Sequence, residues 1–322
     1  MTSASDIERL VPEPIAPRIR SVRFTDGVAT IVADAAGLSR AAAAEMQREL
    51  EQAVGAAPGV AEVRVALMAD RVARRIVAVG SGKGGVGKST LTANLAVALA
   101  RMGRKVGVVD ADIYGPSQPT LLDAANQKVQ AEDNKLIPVE SEFGVRLLSM
   151  GQLIAPGKAI AWRGPMTGNA LGQLMDAHWG DVELLLVDLP PGTGDVQLTM
   201  LQKFKPAGAV VVSTPQDLAL IDATRAIDLF RQAQVPVIGL VENMSGYACP
   251  HCGEMSDPFG AGGAEAAARA LGEDFLGRVP LAMEIRVASD AGQPPAANDS
   301  DFGRAYMDIA EGLARWLDAS EG

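Results

Sequence analysis

The sequence of 322 residues predicts an α/β protein with a mostly parallel sheet covered by helices on both faces, preceded by a small α+β domain. Three observations lead to this prediction. Short apolar strands alternate with helices from about residue 76, a glycine-rich loop follows the first of these strands, and a different strand pattern occupies the first 70 residues. Near-continuous Val and Leu strands that alternate with helices are typical of a parallel sheet buried on both faces.

The first segment predicts a β-β-α-β unit. Its predicted elements are strands at 19–24 and 28–34, a helix from Ser39 to about residue 54, and a third strand around 63–67. The two strands join across Asp26-Gly27, a hairpin signal because glycine accepts a positive φ. The expected domains are therefore residues 1–72 and 73–322, and the basic stretch 71–75 is either a linker or an exposed strand start.

The second segment predicts seven strands separated by helices. The strands are 76–79, 105–110, 145–150, 183–188, 208–213, 236–242 and 275–279. The clearest helices are 89–101, 166–177 and 218–234, and a shorter polar hairpin lies between Gln127 and Glu140. Because the carboxyl ends of parallel strands share one edge of the sheet, residues that follow these strands are expected to form the functional site.

Composition excludes several classes of protein. The chain has 29 Lys and Arg against 39 Asp and Glu, and residues 1–75 carry ten of each sign, so the net charge of −10 lies downstream. This balance disfavours binding to a nucleic-acid backbone. No apolar run approaches the roughly 18 residues of a membrane span, and the N-terminus does not resemble a signal peptide. A cytoplasmic location is expected, with neither a nucleic acid nor a membrane as partner.

The C-terminal segment predicts an amphipathic helix. Its apolar face comprises Phe302, Tyr306, Ile309, Leu313 and Trp316. The polar residues around this face are mainly acidic, and anionic lipid repels an acidic helix. We therefore expect this face to pack on the protein core.

A phosphate-binding loop follows the first parallel strand. Its residues are Gly82, Lys83, Gly84, Gly85, Val86, Gly87, Lys88, Ser89 and Thr90, and they satisfy the Walker A spacing. Glycines let the backbone N–H groups surround a phosphate, and the following helix adds its positive end. Lys88 is expected to neutralise the β- and γ-phosphates of ATP, and Ser89 to complete a Mg²⁺ site. The sequence thus predicts a P-loop NTPase.

Carboxylates end two other strands. Asp188 follows an apolar run, as a Walker B acid does, and Asp110 and Asp112 end the second strand. Asp110 and Asp188 are expected to hold Mg²⁺ directly or through water. The alternative for Asp110 or Asp112 is a cap on the next helix. The segment 190–195, stiff and then glycine-rich, suits a switch that senses the γ-phosphate.

Cys249 and Cys252 form a lone C-x-x-C pair in the sequence Cys-Pro-His-Cys-Gly. Such a pair can be a redox site, half of a zinc site or half of a cluster site. Gly253 and Pro258 follow where a redox pair would open a helix, which favours a metal-binding turn; His251 is expected to be a solvated loop residue. Because the chain has no other cysteine, four thiolates require a symmetric dimer.

Taken together, these motifs resemble the Mrp (ApbC-like) family of P-loop iron–sulfur cluster carriers. The resemblance extends from about residue 74 to 295 and rests on 82–90, 110–117, 162–166, 188–195, 241–245 and 249–253. It implies a homodimeric ATPase that binds a 4Fe-4S cluster between its subunits and passes it to apo-proteins and cluster-assembly partners. It also implies that Asp112 orients the attacking water and that Asn243 contacts adenine. Lys83 resembles the extra lysine of dimeric P-loop ATPases, where it reaches the partner's nucleotide.

The N-terminal domain departs from the family pattern. Many members have a cysteine after the second strand, where this chain has Ala33-Asp34-Ala35-Ala36-Gly37. A partner-docking role is therefore expected in place of a thiol role. Trp162 and Arg163 are expected either at the dimer or target surface or packed into their own domain.

Two other functions remain open at the level of sequence. A positioning ATPase that acts on membrane or DNA would share the phosphate loop, but it needs a basic surface. A zinc-bridged structural dimer with weak ATPase activity would use the same cysteine pair. An electron-transfer protein like the nitrogenase iron protein would need separated single cysteines, which this chain lacks.

Overall fold

The computed structural model describes residues 4–35, 38, 40–68, 74–153 and 165–320. The chain forms two compact units, Met1–Ala73 and Arg74–Gly322. The helices are α1 (Ala4–Glu8), α2 (Arg40–Gly55), α3 (Lys88–Arg101), α4 (Gln118–Leu121), α5 (Pro165–Met175), α6 (Asp195–Thr199), α7 (Asp217–Gln232), α8 (Gly263–Leu271), α9 (Met283–Asp290) and α10 (Asp301–Ala319).

The first unit is a three-stranded sheet with α2 on one face. Its strands are β1 (Ile19–Thr25), β2 (Val28–Asp34) and β3 (Glu62–Met68), in that spatial order. β1 and β2 are antiparallel across the predicted turn, with Asp26 and Gly27 both at positive φ, and β3 is parallel to β2. Ile31 and Leu50 are fully buried between sheet and helix. The predicted cap Ser39 lies outside the described residues.

The second unit is built on a nine-stranded sheet within the described part of the chain. Its strands are β4 (Arg75–Ser81), β5 (Val106–Asp110), β8 (Val139–Glu140), β9 (Arg146–Ser149), β10 (Leu184–Asp188), β11 (Gly208–Ser213), β12 (Val237–Ala248), β13 (Met255–Ser256) and β14 (Phe275–Leu281). The order is β13-β12-β11-β4-β10-β5-β9-β8, with β14 also on β12. The seven predicted strands are all present and mutually parallel. Only the short β8 and β13 are antiparallel.

The polar hairpin predicted between Gln127 and Glu140 is also present. It consists of β6 (Gln130–Glu132) and β7 (Lys135–Ile137), which pair only with each other. Asp133 and Asn134 form the turn with φ of 51° and 61°. Both residue types tolerate this left-handed conformation, so the turn follows from local sequence.

β12 differs from the prediction, because it continues six residues beyond the expected end at Glu242. Its register against β14 shifts between Asn243 and Tyr247, where Met244 and Gly246 have φ of 60° and 72°. The apolar run ends at Glu242, so periodicity could not reveal the extension. Backbone pairing with β13 and β14 keeps the polar second half extended.

Helices cover both faces of the large sheet, as predicted. One apolar core packs α3 and α10 on the sheet, and the other packs α5, α7 and α8. Tyr306, Ile309 and Leu313 of α10 are buried in the first core, and Phe302 and Trp316 pack against it. The amphipathic C-terminal helix therefore buries its apolar face against the protein core. No helix in the described ranges is both long enough and apolar enough to span a membrane.

Glu242 secures the second half of β12 to the sheet. Its carboxylate is fully buried and accepts hydrogen bonds from Ser245 Oγ (2.8 Å), Gly262 N (3.1 Å) and Ala264 N (2.8 Å). The two backbone donors lie at the start of α8, whose positive end favours a carboxylate. One side chain thus fixes both the extended strand and the following helix.

We predict that Glu242→Gln lowers the free energy of unfolding of the second unit by about 2 kcal/mol, because an uncharged amide weakens three charge-assisted hydrogen bonds. Urea unfolding followed by tryptophan fluorescence measures the change. Glu284→Gln, at an exposed position on α9, is the matched control and should stay within about 0.5 kcal/mol of the wild type. Equal losses in both variants would contradict the role assigned to Glu242.

Candidate functional site

The phosphate loop lies at the carboxyl edge of the sheet, between β4 and α3. Gly85 and Gly87 have φ of 78° and 82°, which only glycine adopts at low cost. Gly87 is the N-cap of α3, so the positive end of this long helix points into the loop. The backbone therefore has the conformation needed to bind an anion.

Two of the glycines are required by protein contacts as well as by a ligand. A Cβ on Gly82 would lie 2.0 Å from the backbone carbon of Asp222 in α7, and one on Gly87 would lie 2.0 Å from Asn243 Nδ2. Sequence reasoning attributed these glycines to the phosphate alone. The structure shows in addition that α7 and β12 pack closely against the loop at these two glycines.

Lys88 makes a buried ion pair. The side chain is only 6% exposed, and its ammonium contacts the fully buried carboxylate of Asp188. The ammonium also lies 3.3 Å from Ser89 Oγ, and Thr92 Oγ1 donates to the same oxygen of Asp188 (3.3 Å). The Walker A lysine, the Walker A serine and the Walker B acid are thus brought together as the sequence predicted.

Asp110 lies beside Asp188 in the same buried cluster. It accepts hydrogen bonds from Ser117 N (3.0 Å), Gln118 N (3.1 Å) and Ser149 Oγ (2.9 Å). Burial and the neighbouring Asp188 carboxylate raise the pKa of Asp110 to about 7, although these hydrogen bonds oppose the rise. Because Ser117 N and Gln118 N lie at the start of α4, Asp110 caps this short helix, which was the alternative considered for it.

Asp112 occupies the wall of a groove next to the phosphate loop. Its carboxylate accepts hydrogen bonds from Tyr114 N (3.1 Å) and Gly115 N (3.2 Å), a local turn in place of a helix cap. The groove has a volume of about 680 Å³ and is also lined by Pro190, Pro191 and Asp195 of the predicted switch. The acid and the switch therefore face the same space.

Gln118 is a site residue that the sequence analysis missed. It is fully buried, and its Nε2 donates to Asp188 Oδ2 and to Ser89 O, both at 2.9 Å. Its Oε1 is buried and has no hydrogen-bond partner within the described part of the chain. Nothing in the local pattern distinguishes this glutamine from a solvated helix residue, because its role comes from the approach of α4 to α3.

Lys83 contacts a side chain of its own chain. Its ammonium lies 3.4 Å from Gln216 Oε1, which also accepts from Thr214 Oγ1 (3.2 Å). Gln216 is the N-cap of α7 and was not predicted as a site residue. The lysine is half-exposed at the edge of the loop.

Asn243 connects β12 to the phosphate loop. Its Nδ2 donates to Val86 O (2.8 Å), and its side chain lines a cavity of about 350 Å³ that opens from the loop residues Gly87, Ser89 and Thr90. This volume falls in the range of roughly 300–1,000 Å³ that small-molecule sites occupy. We call it the base cavity, because it adjoins the phosphate loop and the family resemblance implies that Asn243 contacts adenine.

One buried polar atom on the far wall of this base cavity has no hydrogen-bond partner among the residues that the structure describes. It is the Oγ of Ser289 in α9, a residue that is 5% exposed. Tyr306 of α10 also lines the cavity, and burial alone raises the pKa of its phenol. These residues were not predicted, because they belong to helices whose sequence indicates only packing.

Cys249 and Cys252 lie in the turn of a β-hairpin between β12 and β13. Cys249 N donates to Glu254 O (3.0 Å), and Gly253 N, in a residue with φ of 73°, donates to Cys249 O (2.8 Å). Cys249 is half-buried and Cys252 is exposed. Backbone N–H groups of Cys252 and His251 and the Cys252 thiol lower the pKa of Cys249, which favours a thiolate.

The cysteine pair therefore lies in a hairpin turn and not at the start of a helix, where a thioredoxin-type redox pair would lie. His251 is exposed, as expected. Within the described residues, no group of three or more His, Cys, Asp and Glu side chains is placed to hold a metal ion. One described chain therefore offers the two thiols and no third ligand beside them.

A short segment separates the base cavity from a second cavity beside the thiols. Pro280, Leu281 and Ala282 line both, and the second cavity, of about 210 Å³, also contacts Cys249. Leu281 pairs with Tyr247 in the sheet. Trp162 and Arg163, which were expected at a surface or in the core, lie outside the described residues.

Comparison with known proteins agrees with this arrangement. Residues 72–314 match the family described as ParA: NUBPL iron-transfer P-loop NTPase. An iron–sulfur cluster carrier protein of Deinococcus radiodurans is 51% identical over 247 residues, which are 75% of this chain and 69% of that protein. The iron–sulfur protein required for NADH dehydrogenase of Arabidopsis thaliana is 49% identical, over 75% and 78% of the two chains.

Solved structures show the same fold. A nucleotide-binding protein from Archaeoglobus fulgidus in complex with ADP is 41% identical, with a TM-score of 0.60 over 68% of this chain and 86% of that chain. The septum site-determining protein MinD of Pyrococcus horikoshii, with Mg-ADP, has a TM-score of 0.57 at 24% identity over 76% and 97%. From its motifs, its fold and these relatives, the chain belongs to the NUBPL-type family of iron-transfer P-loop NTPases, the Mrp (ApbC-like) group.

Proposed function

We propose that this protein is an ATP-dependent carrier that binds a 4Fe-4S cluster between two subunits and transfers it to apo-proteins. The observation that carries the proposal is the course of β12. Asn243 on this strand holds the phosphate loop through Val86, and Cys249 opens the thiol turn six residues later, at most about 20 Å along an extended strand. The names of the relatives, cluster carrier and iron-transfer NTPase, support the same activity.

The residues present fit a magnesium nucleotide. The buried carboxylates of Asp110 and Asp188 lie side by side, and the ammonium of Lys88 pairs with Asp188. This group of buried side chains therefore has one positive charge fewer than it has carboxylates. The Oε1 of Gln118 has no hydrogen-bond partner among the described residues and lies close to Asp188. It is suited to accept a hydrogen bond from a water molecule of a hydrated cation. Ser89, Asp110 and Asp188 would hold Mg²⁺, directly or through water. When bound, the ion neutralises charge on the β- and γ-phosphates.

The chain's own residues supply the rest of the hydrolytic step. Lys88 exchanges Asp188 for the phosphates, and the N–H groups at the start of α3 bind them. Asp112 orients the attacking water from the groove wall that it shares with the 190–195 switch. Lys83, released from Gln216, reaches the nucleotide of the second subunit.

The cluster is the cargo, and its ligands are four thiolates. Each chain contributes Cys249 and Cys252, and the backbone N–H groups that stabilise the Cys249 thiolate make the turn a suitable donor. A half-exposed turn suits a carrier, because the acceptor protein must reach the metal. The N-terminal unit contains neither cysteine, and we assign it the docking of partner proteins.

The segment 280–282 would transmit nucleotide binding to the conformation of the thiol turn. A base that fills the larger cavity presses on Pro280, Leu281 and Ala282, which also line the cavity beside Cys249. The irregular pairing of β12 at Met244–Gly246 gives the strand a flexible point between the two sites. ATP binding and hydrolysis would thereby change how firmly the turn holds its cargo.

We predict that Gly87→Ala weakens ADP binding by roughly tenfold or more, because the new Cβ collides with Asn243 and strains a left-handed residue. Fluorescence anisotropy of labelled ADP measures the affinity. Gly103→Ala is the control, since Gly103 has φ of 87° and open space around it. Equal affinities in both variants would show that contact with Asn243 does not shape the loop.

Asp112→Asn should reduce ATP hydrolysis by roughly a hundredfold while nucleotide affinity is retained, since an amide preserves the turn to Tyr114 but cannot activate or orient water as a carboxylate does. Phosphate release under saturating ATP measures the rate. Asp123→Asn, at an exposed residue with φ of 51°, provides the control and should hydrolyse ATP normally. Unchanged turnover in Asp112→Asn would remove Asp112 from the mechanism.

Anaerobic reconstitution with iron and sulfide should give about two of each per chain and visible charge-transfer absorption, both lost in the double variant Cys249→Ser, Cys252→Ser. His251→Ala, in the same turn, should keep the full content because His251 is exposed and is not assigned as a ligand. Zinc in place of iron in the anaerobically purified protein, or equal iron in the serine variant, would overturn the carrier function.

A further inference from the structure

The hydroxyl of Ser289 is the buried polar group of the base cavity that the mechanism above does not use. Ser289 is 5% exposed, and its Oγ has no hydrogen-bond partner in the described part of the chain. The cavity, of about 350 Å³, extends from Ser89 and Thr90 of the phosphate loop to this serine on α9. An unpaired buried hydroxyl costs free energy, so its place in the wall of a ligand-sized cavity indicates a contact that the ligand completes.

The surroundings of Ser289 suit the base of a nucleotide better than its sugar or its phosphates. Burial raises the pKa of the Tyr306 phenol, so this residue of the same wall stays uncharged. Arg286 Nη1 and Asp290 Oδ2 lie 2.8 Å apart, and both side chains are 66% exposed, so the charges of α9 face solvent. Apolar side chains of the cavity offer contact to the faces of an aromatic ring: Leu121, Leu281 and Ile285. A flat, neutral group therefore fits beside Ser289.

Asn243 supplies a second polar contact in this cavity, and its polarity is fixed. Its Nδ2 donates to Val86 O (2.8 Å), so its Oδ1, which can only accept, is the atom left for a ligand. The 6-amino group of adenine donates hydrogen bonds, whereas guanine has a carbonyl oxygen in that position. The ring nitrogens N1 and N7 of adenine flank the amino group, and both accept. An acceptor on Asn243 and a hydroxyl on Ser289 together match this edge of adenine.

We propose that Ser289 is a specificity-determining residue for the nucleotide, with its hydroxyl donating to ring nitrogen N1 or N7 of adenine while Asn243 Oδ1 accepts from the 6-amino group. This inference rests on the nucleotide binding of the proposed function and adds a second side chain that recognises the base. Guanine would place its carbonyl oxygen against Asn243 Oδ1, and two acceptors repel each other. The hydroxyl of Ser289 therefore adds affinity for adenine nucleotides and little for guanine nucleotides.

The test compares Ser289→Ala with Ser21→Ala in the full-length protein. Displacement of labelled ADP, followed by fluorescence anisotropy, measures the affinities of unlabelled ADP, GDP and pyrophosphate. We expect Ser289→Ala to weaken ADP binding roughly tenfold and to change the other two affinities less than about twofold, because only adenine loses a hydrogen bond. Ser21→Ala, at an exposed serine on β1 of the first unit, is the matched control and should bind all three ligands as the wild type does.

Analogues of ADP identify the atom that Ser289 contacts. The 1-deaza and 7-deaza analogues each lack one of the two ring nitrogens, and 2′-deoxy-ADP lacks a sugar hydroxyl. The analogue without the partner nitrogen should bind more weakly than ADP to the wild type and equally to the wild type and Ser289→Ala, since the bond is already absent. Binding of 2′-deoxy-ADP should fall in Ser289→Ala by the same factor as binding of ADP.

The outcomes separate this inference from the proposed function. If the wild type binds ADP and Ser289→Ala binds it equally well, the role of Ser289 is overturned and the proposed function stands. Equal losses of ADP and pyrophosphate, equal losses of ADP and GDP, or a loss that 2′-deoxy-ADP does not show would each overturn it as well. Wild-type protein that binds both deaza analogues as tightly as ADP contradicts the inference without any variant. A wild type that binds no adenine nucleotide overturns the inference and the proposed function together.

Discussion

The site depends on a charge imbalance that folding buries at the edge of the sheet. Asp110 and Asp188 end adjacent strands with fully buried carboxylates, and Lys88 supplies the single ammonium among them. Burying a second carboxylate next to the first costs free energy, which is why the pKa of Asp110 rises to about 7. A divalent cation beside the two carboxylates, as in the proposed function, would relieve this cost. The buried strands thus create the site by holding like charges together.

A second constraint is that a single strand, β12, contributes residues both to the phosphate-loop region and to the thiol turn. Glu242, Asn243 and Cys249 all lie on or directly after β12, and they respectively anchor α8, hold the phosphate loop and open the thiol turn. The first half of β12 pairs with β11 on one side and β14 on the other, whereas the register of its second half against β14 is irregular. In the proposed carrier, rigid support near the nucleotide and adaptable pairing near the thiols would match the two tasks, because the thiols are the groups that would release the cargo.

The sequence predicted the fold closely where local chemistry determined it. All seven parallel strands and the polar hairpin between Gln127 and Glu140 were predicted from the alternation of apolar and polar segments. The sequence did not predict the extension of β12, because pairing with β13 and β14 overrides its polar composition. Gln118 and Ser289 were missed for a related reason, since their roles arise only when separate helices meet at the nucleotide site.

The exposed thiol turn places opposite demands on one surface of the proposed carrier. Thiolates that pass metal to another protein cannot be buried permanently, yet a cluster open to water is lost. In the proposed function, an interface between two copies would satisfy both demands, because it would cover the metal while closed and uncover it when the copies separate. The segment 280–282 lines both the base cavity and the cavity beside Cys249, so a ligand in the first would bear on the geometry of the second.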